Sequence, residues 1–160
     1  MIRNLIKLPL LKRIISKLTI IFLKIMKKQR GYFKVKNFFL FLDVNEPIDR
    51  YIIIHKEYEI KEIRIFSNYI KKFNITDFID IGANCGYYTF YLTDKFSELK
   101  TLSFEPNNDA FEKLCFSHKK NKKNKKNINI FNYGFSDTNS LLKMRALKKN
   151  NHVQSGGSTV

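Results

Sequence analysis

Near the start of the chain, apolar side chains recur at Leu11, Ile14, Ile15, Leu18, Phe22 and Ile25, with Lys12, Arg13, Ser16, Lys17 and Lys24 between them. That spacing follows the 3.6-residue period of an amphipathic helix. The pattern changes at Tyr32. Tyr32, Phe33, Val35, Phe38, Phe39, Leu40 and Phe41 are mostly aromatic or β-branched, and Ile52 to Ile54 renews the bias after Asp43, Asn45, Glu46 and Pro47. Together they predict a β-hairpin or a pair of short strands. Helical spacing returns at Ile60, Ile63, Phe66, Ile70 and Phe73, in a run without glycine or proline, and predicts a helix ending near Lys72 and Asn74.

Two strand-loop-helix units follow. Phe78 to Ile81 is apolar except for Asp80, the loop Gly82 to Gly86 comes next, and Tyr87, Phe90, Tyr91 and Leu92 mark a helix. Thr101 to Phe104 begins the second unit, which turns at Glu105 and Pro106 and continues as a helix through Phe111, Leu114 and Cys115. Ile128 to Tyr133 supplies a third strand. Strands separated by helical spans imply right-handed βαβ crossovers and a parallel sheet whose strands are apolar on both faces because both are covered. The tail from Asn150, NNHVQSGGSTV, is polar and glycine-bearing and reads as a loop. The chain therefore divides into a basic helical arm (1–30), a β-hairpin lead-in (31–56) and an α/β domain (57–160).

Composition narrows the class. In 160 residues, 44% are apolar and 14% aromatic, enough for one core and too many for a disordered chain. The uncharged stretch Leu18 to Leu23 is far shorter than the ~20 residues of a membrane span. It is also short for a secretory signal and lacks a small-residue cleavage site, so a cytoplasmic location is expected. The net charge of +16 is unevenly spread: residues 1–30 carry nine Lys/Arg and no acid, whereas residues 31–118 carry eleven bases against thirteen acids. The lysine run 119–126, KKNKKNKK, has no interleaved aromatic to stack on bases and reads as a solvated loop, so no nucleic-acid partner is expected. The arm fits two readings equally, a helix lying in a membrane interface and a helix packed on its own domain or a partner. Cys85 and Cys115 are thirty residues apart, and His55, His118 and His152 are scattered, so no disulfide, zinc site or other metal site is expected.

Chemistry concentrates in Asp80-Ile81-Gly82-Ala83-Asn84-Cys85-Gly86, at a strand-to-helix junction where parallel α/β sheets gather ligands. Gly82 lets a ligand approach the backbone, Asn84 tolerates a left-handed conformation, and Gly86 permits close packing of the new helix on the strand. Asp80 is an acceptor suited to a ligand ammonium group. Glu105, twenty-five residues later and directly after the next strand, is placed to accept two hydrogen bonds from a ribose diol. A dinucleotide fingerprint Gly-x-Gly-x-x-Gly anchored at Gly82 requires glycine at positions 84 and 87, where the chain has Asn84 and Tyr87. S-adenosylmethionine, which has no pyrophosphate, suits this loop better. Cys85 reads as a packing residue, since nothing near it in the sequence except the helix amino terminus would activate its thiol.

The segments FIDIGANCGYYTFYL, LSFEPNNDAFEKL and NINIFNYGFSD together resemble the FkbM-type family of S-adenosylmethionine-dependent methyltransferases over about residues 58–160. The resemblance implies a Rossmann-like class I methyltransferase fold and O-methylation of a hydroxyl on a sugar or glycoconjugate. By position it assigns Asp80, Gly82, Asn84 and Gly86 to the methionine-side loop and Glu105 to the ribose. Asp137, in Gly134-Phe135-Ser136-Asp137, would lie near the adenine, although an ordinary turn residue explains it equally well. Tyr58-Glu59 resembles a further family feature, but a glutamate at a helix amino terminus is explained by the helix dipole and is not counted as a site residue. The family continues past Ser155-Gly156-Gly157-Ser158 into a fourth strand with an Asp-Val-Glu-Gly-like motif. The chain is therefore expected to be a carboxy-terminally truncated form holding the first three core strands, and no catalytic residue is assigned. Two other classes stay open, a noncatalytic cofactor-binding remnant and a membrane-associated partner module.

Overall fold

A computed structural model describes residues 9–25, 29–121, 126–138, 145–149 and 152–159. They form an α/β structure with five helices, a three-stranded parallel sheet and two antiparallel hairpins. Helix α1 spans Pro9–Ile25 and is followed by the hairpin β1 (Arg30–Val35) and β2 (Phe38–Asp43). Val35 faces Phe38, which leaves Lys36 and Asn37 as the turn, with Lys36 at φ 56°. Both strands thus come from the first β-biased stretch. Ile52 to Ile54, predicted as a strand, lies instead in α2 (Pro47–His55). Pro47 opens that helix at a position where a missing N–H costs nothing, and Asp49 stands in its positive first turn. Ile52 and Ile53 then go into the core from adjacent helix positions.

Helix α3 (Ile60–Phe73) ends at Asn74, whose left-handed φ of 49° closes it where the spacing predicts. The parallel sheet has the order β3 (Asp77–Ile81), β4 (Lys100–Phe104), β5 (Ile128–Phe131). Helix α4 (Tyr87–Lys95) connects the first pair and α5 (Asn108–Lys120) the second. Two right-handed crossovers that step in the same direction place both helices on one face. Burial follows that geometry: Thr101 and Ser103 are fully buried, whereas Ile79, Ile81 and Leu102 on the other parity are 56%, 63% and 37% exposed. Sequence predicts a sheet apolar and covered on both faces, but among the described residues helices cover one face only, and the other is the more apolar one. The third strand stops at Phe131, short of the predicted Tyr133, and the next residue, Asn132, donates its side-chain Nδ2 to the Glu105 carbonyl at 2.8 Å.

The core lies between the helices and the hairpin. Leu40 and Leu42 from β2, Ile52 from α2, Ile63 from α3, Phe90 from α4 and Leu114 from α5 are buried together. The edge of β2 facing away from β1 is sealed by α5 side chains. The Phe39 N–H donates to Asn121 Oδ1 at 2.8 Å, Asn121 Nδ2 returns a bond to the Phe39 carbonyl at 2.6 Å, and the Phe41 N–H donates to Ser117 Oγ at 2.8 Å. Beneath them Lys113 Nζ meets Asp49 Oδ2 at 2.8 Å, with both side chains buried. Burial disfavours the lysine's charge, but the Asp49 carboxylate outweighs it and raises the Lys113 pKa.

The tail also differs from its loop prediction. Arg145–Lys149 (β6) and His152–Thr159 (β7) pair antiparallel, with an irregularity between Arg145 and Leu147. Ladder bonds are made by the backbone, so a polar stretch beside a complementary strand pairs without the apolar alternation that announces it. Lys119 and Lys120 finish α5, and residues 1–8, 26–28 and 122–125 of the basic segments lie outside the described residues. Among the described residues, no helix is long and apolar enough to cross a membrane.

Candidate functional site

The junction after β3 reverses the chain with three left-handed residues, Gly82 (φ 80°), Asn84 (φ 50°) and Gly86 (φ 86°). The N–H groups of Gly82 and Ala83 both donate to the Phe104 carbonyl, at 2.8 and 3.0 Å, and the Gly86 N–H donates to the Ala83 carbonyl at 2.8 Å. The loop is thereby clamped over the carboxyl end of β4. The two glycines differ in their surroundings. A Cβ on Gly82 would meet nothing within 4 Å, so open space adjoins the backbone there. A Cβ on Gly86 would stand 2.6 Å from both Leu114 Cδ1 and Phe90 Cε2. Close packing does explain Gly86, but its neighbours are α5 and the next turn of α4, not the strand.

Glu105 is 6% exposed, and both its oxygens take backbone donors, Oε2 from the Asn84 N–H at 2.8 Å and Oε1 from the Asn107 N–H at 2.9 Å. Asn107 in turn caps α5 by accepting from the Ala110 N–H at 3.1 Å. The carboxylate therefore braces the two strand-end loops against each other, a role that the diol reading does not include. A carboxylate has about four lone-pair sites, so each oxygen keeps acceptor capacity beyond its backbone bond. Asn84 brings a further acceptor: its Oδ1 is buried and has no hydrogen-bond partner.

Asp80 lies on the helix-covered parity of β3. Its Oδ2 accepts from Thr89 Oγ1 at 2.6 Å, and Thr89 Oγ1, its one proton spent there, accepts in turn from Ser103 Oγ at 2.7 Å. Burial pushes the Asp80 carboxyl above its ordinary range against the pull of the Thr89 bonds, and the Glu105 charge adds to the rise. Asp80 and Glu105 thus share one edge of the sheet, as their spacing predicts, and feel each other's charge. Asp137 is exposed and accepts from Ser136 Oγ at 3.1 Å, a bond within its own turn. The segment approaches the site through Gly134, where a Cβ would lie 3.3 Å from Pro106 Cβ.

Sequence reasoning set Glu59 aside as a helix-dipole residue and passed over Thr89. Glu59, at the start of α3 with φ 43°, makes no side-chain cap. Its Oε2 accepts instead from the Tyr88 hydroxyl at 2.7 Å, which carries a carboxylate to the first turn of α4. Burial, reinforced by Glu59, raises the Tyr88 phenol strongly and the Tyr58 phenol to about 12. The strained φ that sets Glu59 apart leaves no trace in the residue pattern. Thr89 follows only once the covered face is known, since Asp80 and Ser103 on that face require a buried hydrogen-bond partner between them.

On the open face the strand ends carry an aromatic ledge. Phe104 stacks on Phe131 at 4.9 Å between centroids and meets Phe135 edge-on at 4.8 Å. Cys85 is buried in the core, and burial pushes its thiol far up, so it has no nucleophile character. Among the described residues no three His, Cys, Asp or Glu side chains converge as a metal site. A shallow depression of about 430 Å³ between Ile70, Asn74, Thr76, Lys95 and Glu98 lies at the opposite end of the sheet, where the strands begin. Comparison of the chain with protein-family models, with curated proteins and with solved structures finds no match in any of the three.

Proposed function

We propose that the carboxyl edge of this sheet binds S-adenosylmethionine and that the chain belongs to an O-methyltransferase acting on a hydroxyl of a sugar or glycoconjugate. The observation that carries the reading is the loop itself: open space beside the left-handed backbone of Gly82 at the end of β3, in a loop that Glu105 ties through the Asn84 N–H to the end of the next strand. The set of acceptors suits a ligand carrying an ammonium group and a ribose diol, with Asn84, Asp80 and Glu105 gathered around one loop. Asn84 and Tyr87 argue against a dinucleotide: the side chain of Asn84 stands where bare backbone must meet a pyrophosphate, and Tyr87 is a core residue at 3% exposure.

Bound S-adenosylmethionine supplies an electrophilic sulfonium methyl. The residues described here act by binding and orientation: the loop fixes the methionine side, Glu105 fixes the ribose side while holding both loops in register, and the Phe104–Phe131–Phe135 ledge offers a flat apolar surface beside them. Calorimetric titration of the full chain with S-adenosylmethionine, S-adenosylhomocysteine and NAD tests this. The two sulfur nucleosides are expected to bind and NAD to fail. Asp80→Asn is expected to weaken S-adenosylmethionine about ten- to hundredfold, the scale of a charge-assisted bond. Binding of NAD with no heat from either sulfur nucleoside overturns the reading.

A further inference from the structure

Among its described side chains, helix α1 rests on the body by one side. Leu23 packs against the core cluster, and Ile15, Ser16, Thr19 and Ile20 are half-buried. Ile14, Leu18, Ile21, Phe22 and Ile25 are 46%, 59%, 54%, 61% and 73% exposed. At 100° per residue these five fall within an arc of about 100°, so they form one continuous apolar stripe pointing away from the protein. Arg13 and Lys17 are exposed beside it. The helix therefore has two apolar sides, one used by the fold and one unused, and no acidic residue occurs anywhere in residues 1–30.

The geometry points to α1 as an interfacial anchor that lays this stripe into an anionic lipid surface. Charge selects the occupant. A second copy of the helix would bring Arg13 and Lys17 against their own kind, in a chain whose net charge is already +16. A neutral apolar groove would account for the stripe but not for the eight Lys/Arg of residues 1–29, which include no acid; Arg30, the next, is already paired with Glu112. An acidic bilayer surface satisfies both features, since apolar side chains enter the acyl boundary while lysine and arginine stay at the headgroups. The 17 residues of α1 reach about 25 Å, and among the described residues no helix is long and apolar enough to cross, so the stripe is laid in the plane of the surface. This attachment is independent of the ligand bound at the sheet edge.

Vesicle flotation of the full chain tests the anchor. With phosphatidylcholine vesicles containing about a third phosphatidylserine, binding is expected to exceed that to pure phosphatidylcholine by about tenfold or more and to fall as salt is raised. The double variant Leu18→Glu/Phe22→Glu is expected to stay behind at an unchanged melting temperature, and Arg13→Ala/Lys17→Ala to bind less. The chain contains no tryptophan, so Phe22→Trp places a single reporter in the stripe, and its emission is expected to shift to the blue on anionic vesicles. No flotation at low salt, equal flotation of the double variant, or an indole emission that vesicles leave unshifted overturns the proposal. So does light scattering in which the double variant converts a lipid-free dimer into a monomer, because the stripe is then a self-association surface.

Discussion

Gly82 and Gly86 share a left-handed backbone, yet the space around them makes them unequal. Alanine at either position carries the strain of positive φ, about 1–2 kcal/mol. At Gly86 the new methyl also collides with Leu114 and Phe90 at 2.6 Å, and overpacking of that kind adds about 1–3 kcal/mol. Urea unfolding should therefore show Gly86→Ala losing about 3 kcal/mol and Gly82→Ala about 1 kcal/mol. Ligand titration should rank them the other way, since Gly82→Ala fills the open approach while the protein stays folded. A Gly86→Ala variant as stable as Gly82→Ala would contradict the packing. Asp80 gives a prediction in pH. Its folded pKa is raised above the unfolded 3.8, so its contribution to stability is present in acid and is lost as pH rises through the folded value. Asp80→Asn cannot ionise and can still accept from Thr89. Its melting temperature should exceed that of the parent near pH 7 and match it at about pH 3, while its ligand affinity falls. Equal melting temperatures at both pH values would show that ionised Asp80 carries no penalty.

Among the elements, those whose punctuation is local were legible. Helix α3 runs to Asn74, and β3, α4, β4 and α5 fall where the apolar period and Glu105-Pro106 place them. The hairpin turn was not legible, because Lys36 adopts φ 56° without the glycine that normally signals such a turn. The three consecutive isoleucines of α2 read as strand on β propensity, and tertiary burial of Ile52 and Ile53 overrides it. What joins these elements is equally hidden in sequence, because Asp49 and Lys113 are sixty-four residues apart. The pair is testable as a unit. Lys113→Met leaves Asp49 buried without its partner, and Asp49 Oδ1 already has no bond. A loss of about 3–5 kcal/mol is expected. Asp49→Leu combined with Lys113→Met removes both charges and should recover about half of that loss, the remainder reflecting the Asp43 N–H left without its acceptor. A double-mutant cycle by urea unfolding measures the coupling, and strictly additive losses would show that the two groups stabilise the fold independently.

For the whole molecule, the decisive feature is the parity of β3 and β4. Period-two alternation assigns Ile79 and Ile81 to one side and Phe78 and Asp80 to the other, and apolarity alone would bury the isoleucines. The right-handed crossovers decide otherwise, because both helices must lie on the face that carries Asp80, Thr101 and Ser103. The candidate site could be read from motif and strand order, but the direction of Asp80 could not, since it depends on which face the helices take. The result is a surface on which Ile79, Ile81 and Leu102 are exposed and Phe104 and Phe131 half-buried, bounded on one side by the edge of β3, which among the described residues pairs only with β4. Contiguous apolar surface of this kind binds hydrophobic dyes and promotes association. Anilinonaphthalene sulfonate is therefore expected to fluoresce strongly with the full chain, and Ile79→Lys/Leu102→Gln to suppress most of the signal. Leu18→Glu/Phe22→Glu on the remote stripe of α1 should leave a large part of it. Because Ile79 and Leu102 are exposed, the sheet variant should change stability by no more than about 1 kcal/mol. A larger loss, or dye binding untouched by that variant, would mean that the sheet face is covered in solution and that its apolar residues belong to a core.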